Sequence, residues 1–277
     1  MLVDSHCHLQ DRQFDSDREQ VLARATAAGV SAIVVAGDDI ASSRRAIDLA
    51  DSYENVYAAI GVHPHNASAV TPREIETLGR LADSAKVVAI GEIGLDFYRE
   101  LSPRAVQRAA FQQQLELARS LHLPVVIHSR DADEETFGMI EEYEQAALPK
   151  WPKDRPLGVL HCFAGDLALA LRYIELGFVI SIPGACTYPN AGRTRTVARG
   201  IPYRWLTVET DAPYLPPQPR RGGRNEPAYL TDTVQCIADL RGDSVQEVAD
   251  RTAMTAAWLF GLGNIGEPTA QTPGDLP

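Results

Sequence analysis

At 277 residues the chain is longer than the usual domain, but parallel barrels run to roughly 250 residues as one unit. Its 45% hydrophobic and 23% charged composition excludes a disordered chain and allows a core that needs neither disulfides nor a structural metal. Its 26 Lys and Arg against 37 Asp and Glu, a net charge of −11, exclude a protein that coats nucleic acid through a broad basic face, but not an enzyme gripping a few phosphates in a cleft.

The opening residues, Met1-Leu2-Val3-Asp4-Ser5-His6, lack the basic and apolar regions of a secretory signal. No run is apolar and long enough to cross a bilayer, so a cytoplasmic protein without a membrane partner is expected. Residues 2–8 form the first predicted strand. A helix follows over 15–28, with Val21, Leu22 and Ala25 on one face and Gly29 to end it. Further strands are predicted at 31–36, 56–62, 86–92, 124–128, 158–161, 178–182 and 206–211. Helices are predicted between them at 42–52, 72–84, 103–121, 134–146 and 167–176, and after the last strand at 228–240 and 245–259. The link over 188–200 is Arg-rich and less regular. A tail over 263–277 contains Gly and Pro and is expected to be flexible. Cys7, Cys162, Cys186 and Cys236 lie far apart without a CxxC pair, so no disulfide framework or zinc ribbon is indicated.

Continuous apolar strands alternating with helices describe a parallel sheet covered by helices. An open doubly wound sheet shows the same alternation. The polar residues favour the α/β class as a (β/α)8 TIM barrel, a single domain over residues 1–262, because they collect at strand ends, where barrels place their active sites. His6 and His8 end the first strand two residues apart, which puts both imidazoles on one face. Glu92 ends the fourth strand, His128 the fifth and His161 the sixth, while Glu209 and Asp211 repeat the two-residue spacing on the eighth. A lone histidine at a strand end is more often a packed residue, and HxH alone is weak. Four of the seven histidines converging on one mouth is hard to obtain from core packing. Four imidazoles and two carboxylates exceed the needs of one tetrahedral ion, so two divalent metal ions are expected, and such ligands accept Mg, Mn, Zn or nickel.

The runs Asp4-Ser5-His6-Cys7-His8-Leu9, Gly91-Glu92-Ile93-Gly94-Leu95-Asp96-Phe97, His128-Ser129-Arg130, His161-Cys162-Phe163-Ala164-Gly165 and Glu209-Thr210-Asp211-Ala212-Pro213-Tyr214 carry a resemblance. In this order, and continuing to Arg224-Asn225-Glu226-Pro227, the chain resembles the TatD family of metal-dependent deoxyribonucleases, within the amidohydrolase-like barrels. The resemblance implies a hydrolase of DNA phosphodiester bonds, commonly a 3′–5′ exonuclease, with two divalent metals. It implies that His6 and His8 hold one ion with Asp211 beside it, that Glu92 bridges, and that His128 and His161 hold the second. Related barrels often bridge with a modified lysine, and no lysine ends this fourth strand. Water activated between the ions is the expected nucleophile, with Asp211 accepting its proton.

Around this centre, Arg130 should face the mouth and fork a phosphate, and His63 should touch substrate or support a ligand. Tyr98, Phe97 and Phe163 flank ligands and are candidates to stack on bases of single-stranded DNA. Arg224 and Asn225 lie in the loop where barrels often bind phosphate. Glu209 is read as an acid outside the ligand set that fixes a ligand or a further metal. His65 and His122 are read as ordinary surface or packing residues. Two other functions stay open at this point: hydrolysis of a small amide, lactone or ester on the same barrel, and a binding protein whose metal is structural.

Overall fold

A computed structural model describes residues 1–152 and 154–263. Residues 264–277, which hold nearly all of the predicted tail, lie outside the described residues. Strands β1 (Leu2–Cys7), β2 (Val30–Ala36), β3 (Val56–Ile60), β4 (Val87–Asp96), β5 (Val125–Arg130), β6 (Gly158–Leu160), β7 (Phe178–Ile182) and β8 (Leu206–Val208) lie side by side in chain order. Every pair from β1–β2 to β7–β8 is parallel. Helices α1 (Arg18–Ala27), α2 (Ile40–Ser52), α3 (Pro72–Leu81), α4 (Arg104–Leu121), α5 (Asp133–Ala147), α6 (Leu167–Glu175) and α7 (Gly192–Gly200) return the chain between strands, and α8 (Leu230–Arg241) and α9 (Val245–Phe260) follow the last strand. This is the expected TIM barrel.

Local chemistry explains where several elements begin. Asp39 and Ser42 form a reciprocal capping box at the start of α2, and Thr71 and Glu74 do the same for α3, with Pro72 in its first turn. Buried α9 residues Ala253, Ala256, Leu259 and Phe260 join Val3, Val34, Val126 and Val179 of the strands in one apolar cluster. Each large side chain so buried contributes about 1.5–3 kcal/mol. None of the helices among the described residues is long and apolar enough to cross a membrane.

The seam between β8 and β1 is closed by side chains and loop bonds. Ser5 Oγ donates to the Val208 carbonyl (3.0 Å), Asp4 accepts from Thr210 N–H (2.9 Å) and Oγ1 (2.6 Å), and the Asp211 N–H donates to the His6 carbonyl (3.0 Å). Burial pushes the Asp4 carboxyl up to about 7, against the lowering effect of the Thr210 bonds.

Three elements differ from the sequence expectation. The link over 188–200 contains a true helix, α7, with only Val197 and Ala198 buried, so its apolar period is too thin to read. Arg195 ties its start to the carbonyls of Cys186, Thr187 and Tyr188. Strand β4 continues past Glu92 to Asp96, while β8 stops at Val208 and leaves Asp211 in a loop at φ 56°. Glu209 and Asp211 therefore do not reach the mouth by strand alternation.

The extension of β4 depends on Gly94. Its φ is +140°, and a Cβ there would stand 2.0 Å from the His128 carbonyl oxygen. Gly94→Ala is expected to destabilise the protein by about 3 kcal/mol or more, read as a fall in the denaturant midpoint. A midpoint like that of the parent would show that β4 and β5 do not need this close approach.

Candidate metal centre

Glu92 is 3% exposed at the centre of the mouth, and its two oxygens divide the histidines into two sets. Oε2 lies 3.4 Å from His6 Nε2 and 3.5 Å from His8 Nε2. Oε1 lies 2.9 Å from His128 Nδ1, 2.8 Å from His161 Nε2 and 3.3 Å from His63 Nε2. Asp211 Oδ1 joins the first set, 3.7 Å from His6 Nε2 and 3.5 Å from His8 Nε2. Within each set two ring nitrogens nearly touch: His6 and His8 at 3.2 Å, His128 and His161 at 3.2 Å. Among the described residues, three overlapping groups have ligand atoms within 4.8 Å of one another: His6, His8 and Glu92; His6, His161 and Asp211; and His63, Glu92 and His128.

The donor set fits divalent ions. Nitrogens and carboxylate oxygens alone converge, and three imidazoles have a carbonyl or carboxylate behind the nitrogen that faces away. His8 Nδ1 is 3.0 Å from the Ala36 carbonyl, His128 Nε2 is 3.4 Å from Asp96 Oδ2, and His161 Nδ1 is 3.6 Å from Glu209 Oε1. The first two contacts are hydrogen bonds that favour the ring tautomer keeping the lone pair on the inward nitrogen, while the third lies beyond hydrogen-bond distance. His6 Nδ1 has no partner among the described residues, and its ring stacks on that of His161 at 4.0 Å. Burial alone would raise the Glu92 carboxyl, but the surrounding imidazoles, His161 and His63 foremost, hold it well below the usual range. Burial would lower His8, yet Asp38, Asp211 and Glu92 push it up to about 10, and Glu92 and Glu209 raise His161 in the same way. The field at the mouth is one that gathers positive charge.

Glu209 is fully buried and supports rather than joins the cluster. It accepts from Ser181 Oγ (2.7 Å) and from the Cys162 N–H, next to His161. His63 is near enough to be a ligand, but its Nδ1 accepts the His65 N–H (3.0 Å), leaving the ring proton on Nε2 toward Glu92. Burial, outweighing Glu92, brings His63 down to about 4, so it is a neutral donor near neutral pH.

The surrounding cavity, about 870 Å³, is lined by His8, Asp38, Arg99, Arg130 and Tyr214 among others. Arg130 reaches it as the sequence suggests, with its guanidinium 3.9 Å above the Tyr98 ring, and Tyr98 is 61% exposed. Neither Arg99 nor Arg130 forms an ion pair among the described residues.

Four other expected substrate contacts are corrected. Arg224 is drawn to Asp17 by two bonds (2.8 and 2.7 Å), reaches Glu226, and stacks on Phe14. Asn225 is wholly buried, donating to the carbonyls of Thr210 and Tyr214 (both 2.7 Å) and accepting from the Glu226 N–H (2.9 Å). Phe163 is 6% exposed and packs edge-on against Tyr173 in the core, and Phe97 is 8% exposed beneath Arg104. All are engaged with the protein itself.

Other residues are closer to the centre than their sequence suggested. His65 lines the cavity and lies 2.8 Å from Asp96 Oδ2. Asp96 also meets His128, accepts from the N–H groups of Tyr98 and Arg99, and is gripped through its backbone by buried Gln107 of α4. Burial would raise Asp96, but the bonds from His128, Arg99 N–H and His65 take it far below the ordinary value. The signal available in the sequence was its place in the Gly91–Phe97 run, four residues after Glu92. His122 caps α4 away from the mouth.

Residues 3–261 match the family described as TatD related DNase. The chain is 38% identical over 260 residues to "Uncharacterized metal-dependent hydrolase YabD" of Bacillus subtilis (strain 168), covering 94% of this chain and 99% of that one. It is also 38% identical over 266 residues to "3'-5' ssDNA/RNA exonuclease TatD" of Klebsiella pneumoniae (strain 342), covering 94% and 98%. Among solved structures, YJJV, a TatD homologue from Escherichia coli K12, matches with a TM-score of 0.86 and 33% identity, covering 94% of this chain and 98% of that one.

Proposed function

The chain belongs to the TatD-related DNase family and is a metal-dependent hydrolase, and from that premise we propose that it is a 3′–5′ exonuclease acting on single-stranded DNA ends. The observation that carries this reading is the division of imidazoles between the two oxygens of Glu92, an arrangement suited to two ions sharing one carboxylate. His6, His8 and Asp211 would hold one, and His128 and His161 the other, with Mg, Mn or Zn as the candidates. Such ions, when bound, polarise a phosphoryl oxygen and make a water nucleophilic near neutral pH.

The chain's own residues supply the rest. Asp211 Oδ1 faces the mouth and accepts the proton of the attacking water. His63 Nε2, 3.3 Å from Glu92 Oε1, would keep that carboxylate oriented. Arg130, held flat by Tyr98, presents two N–H groups to non-bridging phosphate oxygens, whose charge grows in the transition state. Arg130→Ala is expected to raise KM for an oligonucleotide about 10-fold, whereas Arg224→Ala should lower stability and leave KM unchanged. Equal effects of the two on KM would return Arg224 to the substrate site.

The deciding experiment digests 5′- and 3′-labelled single-stranded oligonucleotides with the purified protein and a panel of magnesium, manganese and zinc. Stepwise release of mononucleotides from the 3′ end is expected. Cleavage of small esters or amides alone, with DNA untouched, would overturn the proposal in favour of a small-molecule hydrolase on this barrel.

A further inference from the structure

The wall of the mouth beside β2 carries a carboxylate that the hydrolytic reading leaves unused. Asp38 follows β2 by two residues, and its side chain is 41% exposed where it lines the cavity. Its backbone is firmly held: the N–H donates to Ser42 Oγ (2.8 Å), and the carbonyl accepts from His63 N–H (2.9 Å) and Asn66 Nδ2 (3.0 Å). Among the described residues the carboxylate itself meets only His8 Nδ1, at 3.4 Å, and that nitrogen is nearer the Ala36 carbonyl. No Lys or Arg pairs with Asp38 among the described residues, and it stands in none of the convergent ligand groups. Tyr214 flanks His8 as well, its ring edge-on at 5.7 Å and 49% exposed. Burial, then the charges of Asp11 and Asp38, push its phenol up to about 12.

A carboxylate with no Lys or Arg partner is a liability in a pocket that receives a polyanion, because like charges this close repel. It is tolerable only where the substrate presents a neutral hydrogen-bond donor. The arginines stand in another sector, Arg99 after β4 and Arg130 at the end of β5, so the mouth divides into a basic side and an acidic side. Resting on the exonuclease reading above, the geometry points to Asp38 and Tyr214 as a nucleoside subsite that accepts a terminal 3′-hydroxyl and rejects a terminal 3′-phosphate. When a strand enters by its 3′ end, the scissile phosphate occupies the centre and the terminal deoxyribose is the next group. That sugar has a single free hydroxyl, which donates to Asp38 in a charge-assisted bond. The Tyr214 ring covers the sugar or base face. A 3′-phosphate would bring its negative charge against the same carboxylate.

The test compares oligonucleotides identical except for a 3′-hydroxyl or 3′-phosphate end, digested with manganese by the parent protein and by Asp38→Asn. The parent should favour the hydroxyl end by about 100-fold in kcat/KM, and Asp38→Asn, which keeps an acceptor without the charge, by about 5-fold or less. Tyr214→Ala should raise KM for both ends about 10-fold and leave their ratio unchanged. Equal use of both ends by the parent, or an unchanged ratio in Asp38→Asn, overturns the subsite while the nuclease activity stands. Loss of bound metal in purified Asp38→Asn would make Asp38 a support for His8 and overturn the subsite too. Cleavage of neither oligonucleotide by the parent with any divalent ion removes the exonuclease reading itself, and the subsite with it.

Discussion

Glu92→Gln is expected to lower hydrolysis by about 1,000-fold or more while the barrel still folds. The substitution keeps the size and shape of the side chain but removes the charge that faces five imidazoles through two oxygens. A glutamine offers one oxygen and turns an NH2 group toward ring nitrogens, so it cannot serve both histidine sets. The fold should survive, because strand β4 is held by its pairing to β3 and β5 and by Gln107, none of which needs the carboxylate. Far-ultraviolet circular dichroism should match the parent, and bound metal should fall. Activity within about 10-fold of the parent would show that Glu92 is not the shared ligand.

Removal of divalent ions by a chelator should abolish hydrolysis and also lower the melting temperature. The buried carboxylates of Glu92 and Asp211 and the four expected ligand histidines are brought together at the cost of desolvation, and a bound cation offsets that cost only in the folded state. With an ion present at about 100 times its dissociation constant, the linkage is worth about 2.7 kcal/mol per site. For a chain of this size that corresponds to about 5–10 °C per site. Manganese, magnesium or zinc added back should restore both activity and melting temperature. An unchanged melting temperature together with unchanged activity in excess chelator would leave the cluster without a metal function. A fall in stability with no activity under any condition would favour a structural metal instead.

The two sides of the mouth differ in how far their chemistry could be foreseen. His6, His8, Glu92, His128 and His161 are readable because each sits at or near the end of a short apolar run, and a parallel barrel delivers such ends to one rim. Asp211 was placed at the rim for a different reason than the one that holds. Its strand ends three residues earlier, and a left-handed residue with its N–H on the His6 carbonyl carries it there. Arg224 and Asn225, expected in the cavity from their loop, and Phe163, from its place beside His161, turn elsewhere for one shared reason: position along the chain says nothing about which way a loop side chain turns. Each found a stronger partner inside the protein, a carboxylate, two carbonyls or an aromatic face.

The eightfold alternation and the ligand types were determined by the chain alone, since apolar periodicity and the identity of a strand's last residue are local properties. Which nitrogen of each imidazole faces inward, which arginine stays free for an anion, and that Asp38, His65, Asp96 and Tyr214 border the same centre were decided by the tertiary structure. Those outcomes depend on contacts between residues dozens to hundreds of positions apart, such as Asp4 with Thr210 across the seam and Gln107 with Asp96 from α4 to β4. Only closure of the barrel creates such neighbours, because it brings together loops that have no relation along the chain.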